Sequence, residues 1–456
     1  MGDKKQIGIC LTSLQKNKVH ESVNALCDGA KERGYDVHIF APFSDLSNGE
    51  EGKDAQREIF QFIRYNRLDA VVIFKDLICN DNALADIVEY AKSENIPVIG
   101  VNYDAEGICR IRNDYKGAFA EIAEHVITAH GSTAVNFLGY AGESEISVEG
   151  TAAYNEVLTA HQMPIEEVRV GYVEGSSDSV VEYLNNYFYA GNYLPNAFIC
   201  ADDKLAVAVC NYFQKNNISI PGQTIITGFS NTSDRISYVP KITGAVTDQA
   251  ATIEKIFEAF EGITSGSLAA DSLVVVPCKI EPAATCGCTA ADYEEPREII
   301  KKEADEFARE KECFYDAMKL YSSSCSLRNV QSLADELPKY AVKAGISSYN
   351  VYLKSDYVEK IGIVSENVDN SVPLFWLSTF KDNDSTKINF SLDWDRFHKS
   401  KNMLRADSSQ LMSVPLATDT QFFGFITIAY RSENIDNVYL YELIESISAS
   451  LGLIFS

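Results

Sequence analysis

Ala197-Phe198-Ile199-Cys200-Ala201-Asp202-Asp203-Lys204-Leu205-Ala206 holds a whole structural unit in one short stretch. Residues 197–200 form a continuous apolar run with no alternation, which is how a strand buried on both faces reads. Two aspartates interrupt it, and residues 204–215 continue as an amphipathic helix. The same unit recurs in both directions. Strands are expected at 7–11, 36–40, 70–74, 97–101, 134–138, 168–173, 197–200 and 224–228, with helices at 19–33, 81–93, 115–129 and 204–215. Strand, crossover helix and parallel strand make a doubly wound α/β sheet. The series restarts near Gly131. We therefore expect two α/β lobes over residues 5–285: one from about 5–104 and 243–268, the other from about 112–240 and 270–285.

Ligands of such sheets bind outside the carboxyl ends of the strands, and two facing lobes would close on a shared ligand. That rule selects Ser13, Leu14, Lys16, Asn17, Phe43, Ser44, Lys75, Asp76, Asn102 and Tyr103 in the first lobe. In the second it selects Tyr140, Glu143, Ser147, Glu174, Asp202, Ser230 and Asn231, with Asp248 near the hinge. Each has a structural alternative. Asp202 or Asp203 suits a helix cap, as does Ser13 or Asn17, and Lys75 with Asp76 suits a solvated turn.

Composition narrows the function classes. The chain has 456 residues, 46% of them hydrophobic and 23% charged, so large-scale disorder is not expected. Its length corresponds to about three folding units. The formal net charge of −25 opposes binding to a polyanion, and no direct nucleic-acid binding is expected. Lys4 and Lys5 run straight into an apolar stretch too short for a signal h-region, and no segment reaches the ~18 apolar residues of a membrane span. A cytoplasmic location is expected. Eleven scattered cysteines then read as free thiols.

Several runs resemble the effector-binding core of the LacI/GalR family, which has the periplasmic-binding-protein-like type I fold. They are Ile7-Gly8-Ile9 with Ala30-Lys31-Glu32-Arg33-Gly34-Tyr35, Arg67-Leu68-Asp69-Ala70-Val71-Val72-Ile73, Asn95-Ile96-Pro97-Val98-Ile99 and Asn113-Asp114-Tyr115-Lys116-Gly117-Ala118. The most specific is the run from Ile199-Cys200-Ala201-Asp202-Asp203 through Ile220-Pro221-Gly222-Gln223 and Ile226-Thr227-Gly228-Phe229 to Val239-Pro240-Lys241-Ile242-Thr243. The resemblance implies a small-molecule effector. It starts at the first strand, which implies a core without the family's helix-turn-helix headpiece and hinge helix. Ser147 stands where the family usually has an arginine, and Ser230 where it has an aspartate. Those two charges hold sugar hydroxyls in sugar-binding members, so the resemblance does not extend to a sugar effector.

Residues 290–325 read as an acidic linker and a signalling helix. Ile300, Ala304, Phe307, Lys311, Phe314, Met318 and Tyr321 follow heptad spacing with one charged interruption. Ile300, Phe307, Phe314, Met318 and Tyr321 are the expected homodimer contacts; an amphipathic helix lying on the next domain is the alternative. Residues 326–456 resemble, more loosely, an α+β GAF-like domain, with a helix at 330–343 and strands at 349–353, 410–416 and 422–430. Leu440, Ile444, Ile447, Leu451 and Ile454 form an apolar helix that stops without a cap, from which a following output domain is expected. In proteins of similar layout that output is often a diguanylate cyclase. The expected function is thus a ligand-controlled relay, with a LacI-like regulator core lacking its own DNA-binding domain as the alternative.

Catalytic patterns are missing from the sequence: it contains no Gly-x-Ser-x-Gly, no phosphate-binding loop and no dinucleotide fingerprint. Neither enzymatic activity nor a cofactor is expected. Cys286-Gly287-Cys288 lacks a second cysteine pair, and His125 and His130 are five apart, which separates them on an α-helix. No metal site is expected.

Overall fold

Strand β1 (Gln6–Cys10) is a short apolar run flanked in parallel by β2 (Asp36–Phe40) and β3 (Ala70–Phe74), with Ile9 opposite Ile39 on one side and Val72 on the other. All residues of β2 and β3 are buried, as strands covered on both faces must be. β4 (Val98–Val101) and β5 (Cys109–Asn113) extend the sheet in parallel. The computed structural model describes residues 4–11, 17–42, 54–78, 80–142, 144–230, 240–289, 296–324, 329–360, 374–381, 384–431 and 437–456.

The chain divides into two compact units. One combines Met1–Ile111, Ile253–Val274 and Lys302–Ser456; the other combines Arg112–Thr252 and Val275–Lys301. The second unit is built on β6 (Val135–Tyr140), β7 (Val170–Val173), β8 (Ala197–Cys200), β9 (Ile225–Ser230), β10 (Thr243–Thr247) and β12 (Cys278–Glu281). Its sheet order is β12-β10-β9-β8-β6-β7, parallel except for β12. Phe119, Phe137, Phe198, Phe213 and Phe229 are fully buried in its core. β11 (Leu273–Val276) lies beside β5 in sheet order and carries the chain back into this unit.

The first unit departs from the expected domain plan. β13 (Ser348–Lys354), β14 (Leu374–Lys381), β15 (Asp384–Ser391), β16 (Gln410–Ala417) and β17 (Phe422–Ala429) form an antiparallel array in the order β16-β17-β13-β14-β15. β16 then pairs in parallel with β2, Met412 opposite Ile39, so the first lobe and residues 410–417 share one continuous sheet. The expected independent module at 326–456 is therefore joined to the first lobe. The reason is the edge of β2: its open backbone groups and the apolar face beneath it are both satisfied by β16. Phe62 packs on Phe422 and Phe425 with ring centroids 5.9 and 4.6 Å away, inside a core that also holds Phe40, Tyr352 and Phe397. Nearly buried Asp36 and Arg405 form an ion pair at 2.7 Å, and Lys401 Nζ donates to Asn66 Oδ1 at 2.7 Å.

The helix Asn437–Phe455 packs on β16. Leu440, Ile444, Ile447 and Leu451 are buried against the C-terminal sheet region, so its apolar stripe is core. Among the described residues no helix is long and apolar enough to cross a membrane.

Candidate functional site

Tyr140 closes β6, and Asp202 opens the helix that follows β8. Asp202 Oδ1 accepts from Leu205 N–H at 2.9 Å, which caps the helix Asp203–Lys215. Its other oxygen accepts from the Tyr140 hydroxyl. Capping and site placement are thus combined in one carboxylate. Burial, followed by that hydrogen bond, pushes the Tyr140 phenol well above its ordinary value, so it stays a donor. Its ring lies on Gly175, where a Cβ would come within 2.5 Å; the φ of +85° there favours glycine as well. Exposed Glu174 stands beside this glycine, and Ser230 ends β9, with its side chain outside the described residues. The carboxyl ends of β6, β7 and β8 therefore carry a polar cluster, rich in acceptors, around Tyr140 and Asp202.

Ser147 does not line that surface. It is 1% exposed, its Oγ accepting from Tyr140 N–H at 2.7 Å and donating to Ser144 Oγ at 3.3 Å. A hydroxyl this short reaches the strand end instead of solvent, and the close approach of Gly139 leaves no room for more. Asp248, half-buried, also serves as a helix cap. It accepts from Ala251 N–H at 3.2 Å and pairs with Lys279; these two contacts, the lysine foremost, hold its carboxyl below the usual range. Arg112, which the loop rule did not select, pairs with Glu145 and, at 3.2 Å, with Glu149. The alternating arginines of Cys109-Arg110-Ile111-Arg112-Asn113 were its only signal.

In the first lobe, Lys75 pairs with Asp81 at 2.8 Å, and the side chain of Asp76 lies outside the described residues. Asn102 adopts φ +53° and its N–H donates to Ile111 O at 2.8 Å. That turn sends Tyr103 back onto the lobe core, where it borders a shallow hollow with Val88, Lys92 and Ala105. Asn17 begins the helix Asn17–Glu32 without a described side chain, while Ser13, Leu14, Lys16, Phe43, Ser44, Glu143 and Asn231 lie outside the described residues.

The two histidines judged too far apart are adjacent. Residues His125–Ala129 form a π turn, and His125 Nε2 lies 3.2 Å from His130 Nε2. In an α-helix, positions five apart point about 140° away from one another. The i→i+5 hydrogen bonding of a π turn removes that offset. Cys286 and Cys288 complete a group of four whose ligand atoms all lie within 4.8 Å of one another.

The fold places the Tyr140–Asp202 cluster in a class of domain built on parallel α/β sheets. Residues 124–286 match the family described as Periplasmic binding protein-like domain. Among curated relatives, Catabolite control protein A of Staphylococcus xylosus is 22% identical over 191 residues, covering 41% of this chain and 55% of the relative. The HTH-type transcriptional repressor PurR of Actinobacillus pleuropneumoniae is 20% identical over 242 residues, covering 52% of this chain and 68% of the relative. The chain thus spans little more than half the length of the former. Among solved structures, a regulatory protein of the LacI family from Chloroflexus aggregans aligns with TM-score 0.48 and 17% identity, covering 62% of this chain and 98% of that one. The second of these relatives is named as a transcriptional repressor and the third as a regulatory protein of the LacI family.

Proposed function

We propose that this chain is the effector-binding core of a LacI-like regulator that acts on transcription through a partner. The observation that carries this reading is the Tyr140–Asp202 pair at the strand ends of the segment matching a periplasmic binding protein-like domain. Glu174 and Asp202 offer acceptors, while Arg112 is engaged by Glu145 and Glu149. That surface suits a small metabolite rich in hydroxyl or amino donors, without an anionic group. Binding acts through unequal affinity for two conformations of the core. A relative named as a transcriptional repressor supports this reading over a relay to a diguanylate cyclase. Residues 326–456, whose antiparallel strands suit a GAF-like module, would then be the relay, and the helix Pro296–Ser324 the homodimer contact.

A thermal-shift screen of sugars, nucleosides, amino acids and amines tests the proposal. A cognate compound raises the melting temperature of the parent chain by mass action. Asp202→Asn keeps the oxygen that caps the helix and removes the charge, so the same compound should bind it at least about tenfold more weakly, the loss of roughly one charge-assisted hydrogen bond. A screen in which nothing stabilises the parent, or equal affinity in the variant, contradicts the assignment.

A further inference from the structure

After β12 the chain enters Ala283-Ala284-Thr285-Cys286-Gly287-Cys288, the last described stretch before the linker. This stretch is fastened to its own unit. Thr285 Oγ1 donates to Ile226 O at 2.6 Å and accepts from Thr243 N–H at 2.8 Å, while Ala283 N–H donates to Thr243 Oγ1 at 2.9 Å. Thr285 is fully buried and Cys286 nearly so. Gly287 then adopts φ +85°, where a Cβ would come within 3.2 Å of Pro221 Cγ, and its N–H donates to Ala284 O at 3.0 Å. A left-handed residue at that point turns the chain so that Cys286 and Cys288 are presented to the same place.

That place is the π turn. Cys286 Sγ lies 3.6 Å from His125 Nε2, Cys288 Sγ 3.7 Å from the same atom, and Cys288 Sγ 3.4 Å from His130 Nε2. The imidazole nitrogens are 3.2 Å apart. A tetrahedron with Zn–N of about 2.05 Å and Zn–S of about 2.3 Å has edges of about 3.3 Å between nitrogens and about 3.6 Å from nitrogen to sulfur. These four separations match the edges, and all the ligand atoms lie within 4.8 Å of one another. They come from two segments more than 150 residues apart, each with an irregular backbone that serves the convergence: a π turn in one, a left-handed glycine in the other.

We propose that His125, His130, Cys286 and Cys288 bind one Zn²⁺ in a closed Cys₂His₂ site. Four protein ligands leave no open position, so the ion is structural. Both thiols give up their protons on ligation, the two histidines bind neutral, and the charge of the two thiolates balances that of the ion. The metal fastens the segment leaving β12 to the π turn, and so fixes the direction in which the chain departs toward the linker. This inference does not depend on the identity of the effector.

The test uses the full chain, reduced and stripped of metal, titrated with Co²⁺ and then Zn²⁺. One equivalent of Co²⁺ should be taken up with tetrahedral d–d absorption and a thiolate charge-transfer band, and Zn²⁺ should bleach both. Cys288→Ser and His130→Ala alter ligands outside the buried core, and circular dichroism checks their fold. Each should lower Zn²⁺ affinity at least about tenfold, since even outer-shell changes reach that size. Failure to take up Co²⁺, a weak octahedral spectrum, or parental Zn²⁺ affinity in either folded variant overturns the site.

Discussion

His38 is buried in β2, stacked on Phe40, with Nε2 2.8 Å from Ser413 Oγ. Burial, and then the nearby Lys401 and Arg405, push its imidazole well below the ordinary value, so it is neutral in the folded chain. In the unfolded chain it takes up a proton below about pH 6.5. The stability it contributes is therefore present above that pH and is lost as pH falls, by up to about 1.4 kcal/mol per pH unit. We predict that the melting temperature of the parent drops more steeply between about pH 7.5 and 5.5 than that of His38→Gln. Parallel profiles in differential scanning calorimetry would contradict this. At this scale the sequence was legible in part. Loop position correctly placed Tyr140 and Asp202 at strand ends, because that depends only on strand boundaries. Side-chain direction does not, so Ser147 turned inward as a brace, Asp248 became a cap and Tyr103 returned to the core.

Elements were read best where one rule governed them. Residues 36–40, 70–74, 81–93, 197–200 and 330–343 match the expected boundaries because apolar continuity or helical spacing is unbroken there. β5 was missed because Arg110 and Arg112 alternate with buried Cys109, Ile111 and Asn113, breaking the continuous pattern expected of this fold. The π turn was missed because an α-helical period was assumed throughout residues 115–129. The helix Pro296–Ser324 presents Phe307, Phe314, Met318 and Tyr321 as an exposed apolar stripe, Phe307 being 68% exposed; the side chain of Ile300 lies outside the described residues. Phe314, Met318 and Tyr321 border a groove with Ala449 and Ser446. Sedimentation should show a dimeric parent and a monomeric Phe307→Asp/Phe314→Asp double variant, since a charge in a coiled-coil seam is left unpaired on burial. A monomeric parent, or a dimeric double variant, would remove the stripe as an interface.

On the scale of the molecule, two sheets were legible and their extent was not. Strand pairing across an edge leaves no local pattern; the nearest hint was polarity inside β2, where Asp36 and His38 are buried and meet Arg405 and Ser413. One sheet thus runs from the first lobe into the C-terminal array. That continuity gives a proposed regulator core a rigid path within one unit, while the proposed effector surface lies at the strand ends of the other. Hydrogen–deuterium exchange of the full chain, with and without a stabilising metabolite, tests the central claim most directly. Bound ligand should slow exchange at the backbone around Tyr140, Gly175 and Asp202. Unchanged exchange at those three loops, with protection elsewhere, would contradict it.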